Sequence, residues 1–302
     1  MGLGIPDNFE DKFPELQAKT LKWHTVCNSG TQINSTSSVS FFQTTQRSVL
    51  GNLILVPALA TNSDVDPLMR CIQYWGLTHG YNVINIDTFL GDFNQDVSPE
   101  QLRNNNYPEF KNILTHSLRS VYSFTNNRHT CIIGHCVTTS SIIDILNDCV
   151  KKQEKMPVQS AMFFAPWPVI TPLHFKSILL HRLQIEEEIK QTGIVDKNTK
   201  TKIQQMKYFY AMEHFVREIE NIKFEPEIMS KWGIPASFIV ASKDKFSPAQ
   251  RIEQYINVLK SHKNANNFSY LYLQDKKHSF EQLACDVNSA LKLLKLQRQQ
   301  TK

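Results

Sequence analysis

Short apolar runs alternate with amphipathic stretches along most of this 302-residue chain. The run at 52–57 is almost continuously apolar, which is typical of a strand buried on both faces of a sheet. Similar runs, predicted to be strands, lie at 81–87, 131–133, 159–165, 236–240 and 268–273. Stretches that fit helices lie between or after them, at 69–79, 109–124, 140–150, 248–261 and 280–296. The alternation predicts an α/β fold, with a mostly parallel central sheet and helices on both faces.

Two segments of the chain depart from this alternation. The first fifty residues predict two more strands, 21–27 and 39–44, with the Ser-rich segment 35–38 as part of the turn between them. Residues 175–229 are highly charged and carry no strand signal of note. We therefore predict an α/β core formed by 1–168 and 232–302, with a helical cap inserted at 169–231.

Composition excludes several classes of protein. The net charge of +5 comes from scattered basic residues, so we expect no nucleic-acid partner. Six cysteines in a chain of this length do not indicate a disulfide framework, and no apolar run has the roughly 20 residues needed to span a bilayer. We expect a cytoplasmic protein with free thiols and no stable membrane insertion. No zinc-type spacing is present, and the sequence does not predict the oligomeric state.

The segment Gly134-His135-Cys136-Val137-Thr138 is the strongest functional signal. It joins a predicted buried strand to a predicted helix, which is the arrangement of a nucleophile elbow. A thiol at such a turn also lies at a helix N-terminus, where the dipole favours a thiolate or a developing oxyanion. Taken alone, Cys136 is more simply an inert buried thiol, because free cysteines are often buried.

A cysteine nucleophile needs a base and a group that orients the base. Asp244 follows the predicted strand 236–240, and His278 follows the predicted strand 268–273. The carboxyl ends of parallel strands meet at one edge of a sheet, where ligands bind in open α/β folds. We therefore predict Cys136, His278 and Asp244 as a catalytic triad. Asp275 is a second candidate acid, but it stands only three residues from His278.

These residues resemble the motifs of α/β-hydrolases, and the likeness extends over about 21–296. The family's elbow is matched at Gly134, Cys136 and Thr138, its acid loop at Asp244, and its terminal histidine at His278. Cysteine replaces the usual serine, as in dienelactone hydrolases and polyhydroxyalkanoate synthases, and Thr138 stands where those two groups carry glycine. The usual His-Gly of the oxyanion segment is Pro57-Ala58 here, which is a further departure.

The resemblance implies a hydrolase of esters, thioesters or lactones that acts on a small acyl substrate through an acyl-enzyme, without a metal or other cofactor. The implied oxyanion-hole donors are the backbone N–H groups of Leu59 and Val137. Residues expected near the substrate are Ala58, His135, Trp167 and Phe246. Two alternatives remain open: an acyltransferase that uses the same triad, and a non-catalytic binding protein on a degenerate hydrolase scaffold.

Overall fold

A computed structural model gives the architecture of the chain. It describes residues 20–27, 35–58, 63, 66–87, 107–125, 128–166, 187, 190, 191, 193, 218, 219, 222, 225–244, 247–262, 267–277, 280 and 287–294, without the side chains of 20–37 and Glu109. The predicted cap, 169–231, therefore lies mostly outside the described residues, as do four of the predicted site residues: Leu59, Trp167, Phe246 and His278.

In the described part of the chain, eight strands form one sheet in the order β1-β2-β4-β3-β5-β6-β7-β8. The strands are β1 Thr20–Cys27, β2 Ser35–Phe42, β3 Gly51–Val56, β4 Tyr81–Asp87, β5 Thr130–His135, β6 Ser160–Phe164, β7 Ala236–Ala241 and β8 Phe268–Leu273. Strand β2 runs antiparallel to both of its neighbours, and all other neighbouring pairs are parallel. The predicted mostly parallel sheet is confirmed.

Helices cover both faces of this sheet. They are α1 Pro67–Thr78, α2 Tyr107–Thr125, α3 Thr138–Lys151, the short α4 Pro226–Met229 and α5 Ala249–Lys260, and residues 287–294 are also helical. None of the helices in the described ranges is long and apolar enough to cross a bilayer.

The continuously apolar strands are explained by two hydrophobic layers, one on each face. Successive side chains of a strand point to opposite faces, so both faces need apolar residues when both are covered. In β3, Leu53 and Leu55 pack in the layer that contains residues of α1 and 287–294. Ile54 and Val56 pack in the layer that contains residues of α2, α3 and α5.

The prediction for β2 was wrong at both ends. Residues 35–38, where the local pattern predicts a turn, form the first half of the strand and pair with β1, beginning with Ser35 opposite Cys27. Serine favours turns when only local sequence is considered, yet the backbone of a neighbouring strand supplies the hydrogen bonds that make an extended conformation favourable here. The strand also ends at Phe42, two residues before Thr44.

Candidate active site

The turn from β5 to α3 holds Cys136 in an uncommon backbone conformation. The strand ends at His135 and the helix begins at Thr138. Cys136 has φ of +58°, in the left-handed region that favours glycine and costs other residues about 1–2 kcal/mol. Its N–H donates to Phe164 O at 3.0 Å, and its carbonyl accepts from the Thr139 N–H at 3.1 Å. The turn is thus fixed by neighbouring backbone, as a nucleophile elbow requires.

Small side chains are needed where strand and helix approach each other at this turn. A Cβ added to Gly134 would lie only 2.6 Å from Ile142 Cδ1, at the end of a side chain of α3, so glycine lets strand and helix approach without displacing that side chain. Thr138, which departs from the glycine of the resembled groups, is accommodated by hydrogen bonds. Its hydroxyl donates to His135 O at 2.9 Å and lies 3.4 Å from Val56 O.

Val137 occupies the N-cap of α3 and supplies no side-chain cap. Among the described residues, its backbone N–H meets no hydrogen-bond acceptor. An N–H group at a helix N-terminus, one residue after the nucleophile, is well suited to receive negative charge on a substrate oxygen. This geometry is compatible with the oxyanion role predicted for Val137.

The two candidate acids have different environments. Asp244 is buried, and its Oδ1 accepts the Ser247 N–H at 2.8 Å in the loop after β7. Asp275 is exposed and pairs with the Lys243 ammonium at 3.0 Å on the surface. A carboxylate that orients a catalytic imidazole is normally buried and held by hydrogen bonds. The environment of Asp244 therefore fits the predicted role better than that of Asp275.

The imidazole of His135 is buried and contacts Asp66, which is not among the site residues predicted from the sequence. Its Nδ1 lies 3.1 Å from Asp66 Oδ2, and its ring packs 6.2 Å from that of Phe280. The other carboxylate oxygen of Asp66, Oδ1, accepts hydrogen bonds from the N–H groups of Leu68 at 3.0 Å and Met69 at 3.3 Å. Asp66 thereby caps α1. The sequence signal was present, because Asp followed by Pro67 at the first helical position is a helix-start pattern.

Burial by itself raises the pKa of Asp66. The charge and hydrogen bond of His135 and the hydrogen bonds from the Ala58 and Met69 amides lower the pKa by more than burial raises it. The pKa of Asp66 consequently lies below its ordinary value of 3.8. Ala58, predicted to lie near the substrate, donates its N–H to Asp66 Oδ2 at 3.3 Å. The segment that leaves β3 is therefore attached to the same carboxylate as the elbow histidine.

No group of three or more His, Cys, Asp or Glu side chains within the described ranges is arranged to hold a metal ion. The described members of the predicted site are Cys136, the Val137 N–H and the Asp244 carboxylate. They lie at or just beyond the carboxyl ends of strands β5 and β7.

The order of the strands, with a single antiparallel strand second in a parallel sheet and an elbow after β5, can be compared with solved structures. A Pyrococcus furiosus esterase superposes with a TM-score of 0.60 at 11% identity, covering 92% of each chain. An α/β hydrolase superfamily protein from Enterococcus faecalis has a TM-score of 0.56 at 13% identity, covering 93% of this chain and 98% of its own. The chain has the α/β-hydrolase fold.

A further structure with this fold is a thermophilic esterase from Thermogutta terrifontis, with a TM-score of 0.57 at 12% identity, covering 94% of this chain and 100% of its own. No family model matches the sequence, and no curated protein matches it. At these identities the α/β-hydrolase architecture is shared, whereas the chemistry of the site has to be argued from this chain's own residues.

Proposed function

We propose that this α/β-hydrolase-fold protein is a carboxylic ester or thioester hydrolase with Cys136 as its nucleophile. The observation that carries the proposal is the left-handed backbone of Cys136 at the strand-to-helix turn. A non-glycine residue is retained in a strained conformation where the surrounding structure enforces it, and such residues cluster at functional sites. Esterases among the structures with the same fold support the same class of reaction.

The proposed reaction has two stages. His278 accepts the proton of the Cys136 thiol, and the thiolate adds to the carbonyl carbon of the substrate. The resulting oxyanion accepts hydrogen bonds from the Val137 N–H and, as predicted from sequence, the Leu59 N–H. Collapse expels the alcohol or thiol, which takes the proton from His278, and leaves an acyl thioester on Cys136. Water, deprotonated by His278, then adds to this thioester, and collapse regenerates the thiol.

Asp244 is the proposed partner of His278 in both stages. Its buried carboxylate would hold the imidazole in the tautomer that accepts a proton from sulfur, and would stabilise the imidazolium that follows. Esters, thioesters and lactones are the favoured substrates, since a thiolate cleaves activated acyl groups more readily than amides.

The experiment compares wild type, Cys136→Ala and Cys149→Ala on p-nitrophenyl esters of several chain lengths and on acyl-CoA thioesters. Cys149 is a matched control, because it is a buried free cysteine on the helix that follows the elbow. We expect the Cys136 substitution to lower kcat/KM by about four orders of magnitude or more, as loss of a nucleophile does. The control should keep wild-type activity.

Intact-mass measurement after rapid quenching should show one acyl group on the wild type and none on Cys136→Ala. Equal turnover by these two proteins would remove Cys136 from the mechanism. Absence of turnover and of acylation in the wild type, with every substrate, would favour the non-catalytic binding protein instead. Acyl transfer to an added alcohol or thiol in preference to water would favour the acyltransferase.

A further inference from the structure

The carboxylate of Asp66 does more than a helix cap requires. An N-cap needs one side-chain oxygen, and Ser, Thr or Asn would supply it without a charge. Asp66 uses Oδ1 for that purpose and directs Oδ2 to two groups outside α1, the Ala58 N–H and His135 Nδ1. A buried charge is costly unless several hydrogen bonds compensate for it. The second oxygen therefore has a role that α1 does not explain.

Both partners of Oδ2 adjoin the two sides of the proposed oxyanion hole. Ala58 immediately precedes Leu59, the donor predicted from sequence after β3. His135 immediately precedes Cys136 and stands two residues before Val137. The two sides come from separate strands, β3 and β5, which are parallel neighbours with Val56 opposite Gly134. The ladder fixes the strands up to that point, and Asp66 links the chain segments beyond it.

A second carboxylate accepts hydrogen bonds from Ser63, which also lies between β3 and α1. Ser63 is buried, and both its N–H and its hydroxyl donate to Asp87 Oδ1, at 2.7 and 2.8 Å. Asp87 ends β4, the other neighbour of β3. Ser63 is thus attached to β4, whereas Ala58 is attached through Asp66 to His135 at the elbow. Only the second attachment contacts the residue beside the nucleophile.

We propose that Asp66 and His135 are positioning residues that set the distance between Ala58 and the Cys136–Val137 elbow, and thereby the position of the Val137 N–H that receives the oxyanion. This inference rests on the proposed function. The imidazole of His135 acts here as a hydrogen-bonded spacer rather than as the base. Removal of the link should impair the step in which an oxyanion forms, while the nucleophilicity of the thiolate stays unchanged.

Two reactions of the same sulfur separate these effects. Acylation by a p-nitrophenyl ester forms a tetrahedral oxyanion and needs the hole. Alkylation by iodoacetamide displaces iodide from a saturated carbon and needs only the thiolate. We would measure both single-turnover rates for wild type, Asp66→Asn, His135→Leu and His135→Asn. Asparagine at 66 keeps the N-cap, and asparagine at 135 keeps an N–H near the position of Nδ1.

The control is Asn52→Ala, near the amino-terminal end of β3, opposite to the end that leads to Ala58. Asn52 is also buried, donates to Thr130 Oγ1 at 3.1 Å and accepts from Asn82 Nδ2 at 3.1 Å. Its replacement costs stability through lost buried hydrogen bonds but changes nothing beside Cys136. Its acylation and alkylation rates should both equal those of the wild type.

We expect Asp66→Asn and His135→Leu to lower the acylation rate by about 10- to 100-fold. This effect is no larger than the decrease in rate caused by removal of a whole oxyanion donor. Their alkylation rates should remain within about twofold of wild type, and His135→Asn should recover most of the acylation rate. Because Asp66→Asn retains the cap, it keeps the test decisive if His135→Leu does not fold.

The inference is overturned if the two variants acylate at the wild-type rate, or if acylation and alkylation fall in the same proportion. The second pattern would mean that the pair only maintains the fold. A wild type that is alkylated at Cys136 but never acylated would instead contradict the proposed function, and the positioning role would fall with it.

Discussion

At the scale of single residues, stability and the proposed function favour different side chains at position 136. The chain keeps a side chain with a Cβ at φ of +58°, where glycine would be more stable, and buries that side chain to 8% exposure. Positions where stability and function conflict are the positions where a local rule of sequence is expected to fail. Cys136 should therefore be a place where stability can be gained at the expense of activity.

We predict that the free energy of unfolding of Cys136→Gly is higher than that of Cys136→Ala by about 1 kcal/mol. Alanine has a Cβ and is strained in the left-handed conformation, whereas glycine is not. Both variants lack the thiol, so the comparison isolates the backbone. Urea denaturation followed by circular dichroism measures the difference.

The control for this comparison is Ala161→Gly, in the middle of β6, where φ is not positive and glycine should instead cost about 0.5–1 kcal/mol. An equal or lower stability of Cys136→Gly relative to Cys136→Ala would show that the turn does not strain this residue.

At the scale of elements, the approach of β5 to α3 fixes where the elbow can be. Gly134 lies where the first turns of α3 cross the end of the strand, and the nearest atoms to an added Cβ belong to Ile142 and Thr139. An added methyl group would have to displace the end of the Ile142 side chain, so this contact couples a strand residue to a helix residue eight positions later.

We predict that Gly134→Ala lowers the free energy of unfolding by about 1–3 kcal/mol through overpacking. Ile142→Val removes the Cδ1 atom that would lie 2.6 Å away, so the double variant should be more stable than the sum of the single effects. A double-mutant cycle in urea measures this coupling.

The matched comparison is Gly134→Ala with Ile145→Val, which shortens another buried side chain of α3 that supplies none of the three nearest atoms. This second cycle should show no coupling. Coupling of equal size in both cycles would indicate a general loosening of α3 and would contradict a direct contact.

The same scale shows which elements the sequence could predict. Strands β4 and β8 were predicted with the bounds they have, because each is apolar or β-rich and bordered by clear polar residues. Helix α1 begins two residues before the predicted start, since the Asp66-Pro67 cap was not used. Strand β2 was misplaced because its Ser-rich half depends on pairing with β1, a contact that local patterns do not contain.

For the candidate site, the sequence predicts the local motif and the order of the candidate residues along the chain, but not the contacts between distant residues. The residues around Cys136 form a local motif, and the structure provides the strand, turn and helix that the motif requires. The contact between Asp66 and His135 joins residues 69 positions apart, so neither residue's neighbours in sequence could reveal it. The catalytic roles of Cys136, Asp244 and Val137 stay predictions. So do those of His278 and Leu59, which lie outside the described residues.

At the scale of the whole molecule, two apolar layers separated by the sheet should unfold together. Cys131 belongs to the layer that contains α1 and 287–294, is fully buried, and has its pKa raised by that burial to about 12. Its thiol can ionise and react only when the layer opens. Cys136 is on the other side of the sheet and, as the proposed nucleophile, should react without any opening.

We predict that the rate at which iodoacetamide labels Cys131 rises with urea concentration, because exposure requires global opening. The free energy of opening calculated from this rate should depend on urea with the same m-value as equilibrium unfolding. Labelling of Cys136 should be fast in the absence of urea and nearly independent of sub-denaturing urea. Peptide mass spectrometry assigns the label to each cysteine, with Cys136→Ala as the control that removes the fast phase. A Cys131 rate that does not respond to urea below the transition would mean that the layer around α1 opens without global unfolding, and that the two faces of the sheet are not one cooperative unit.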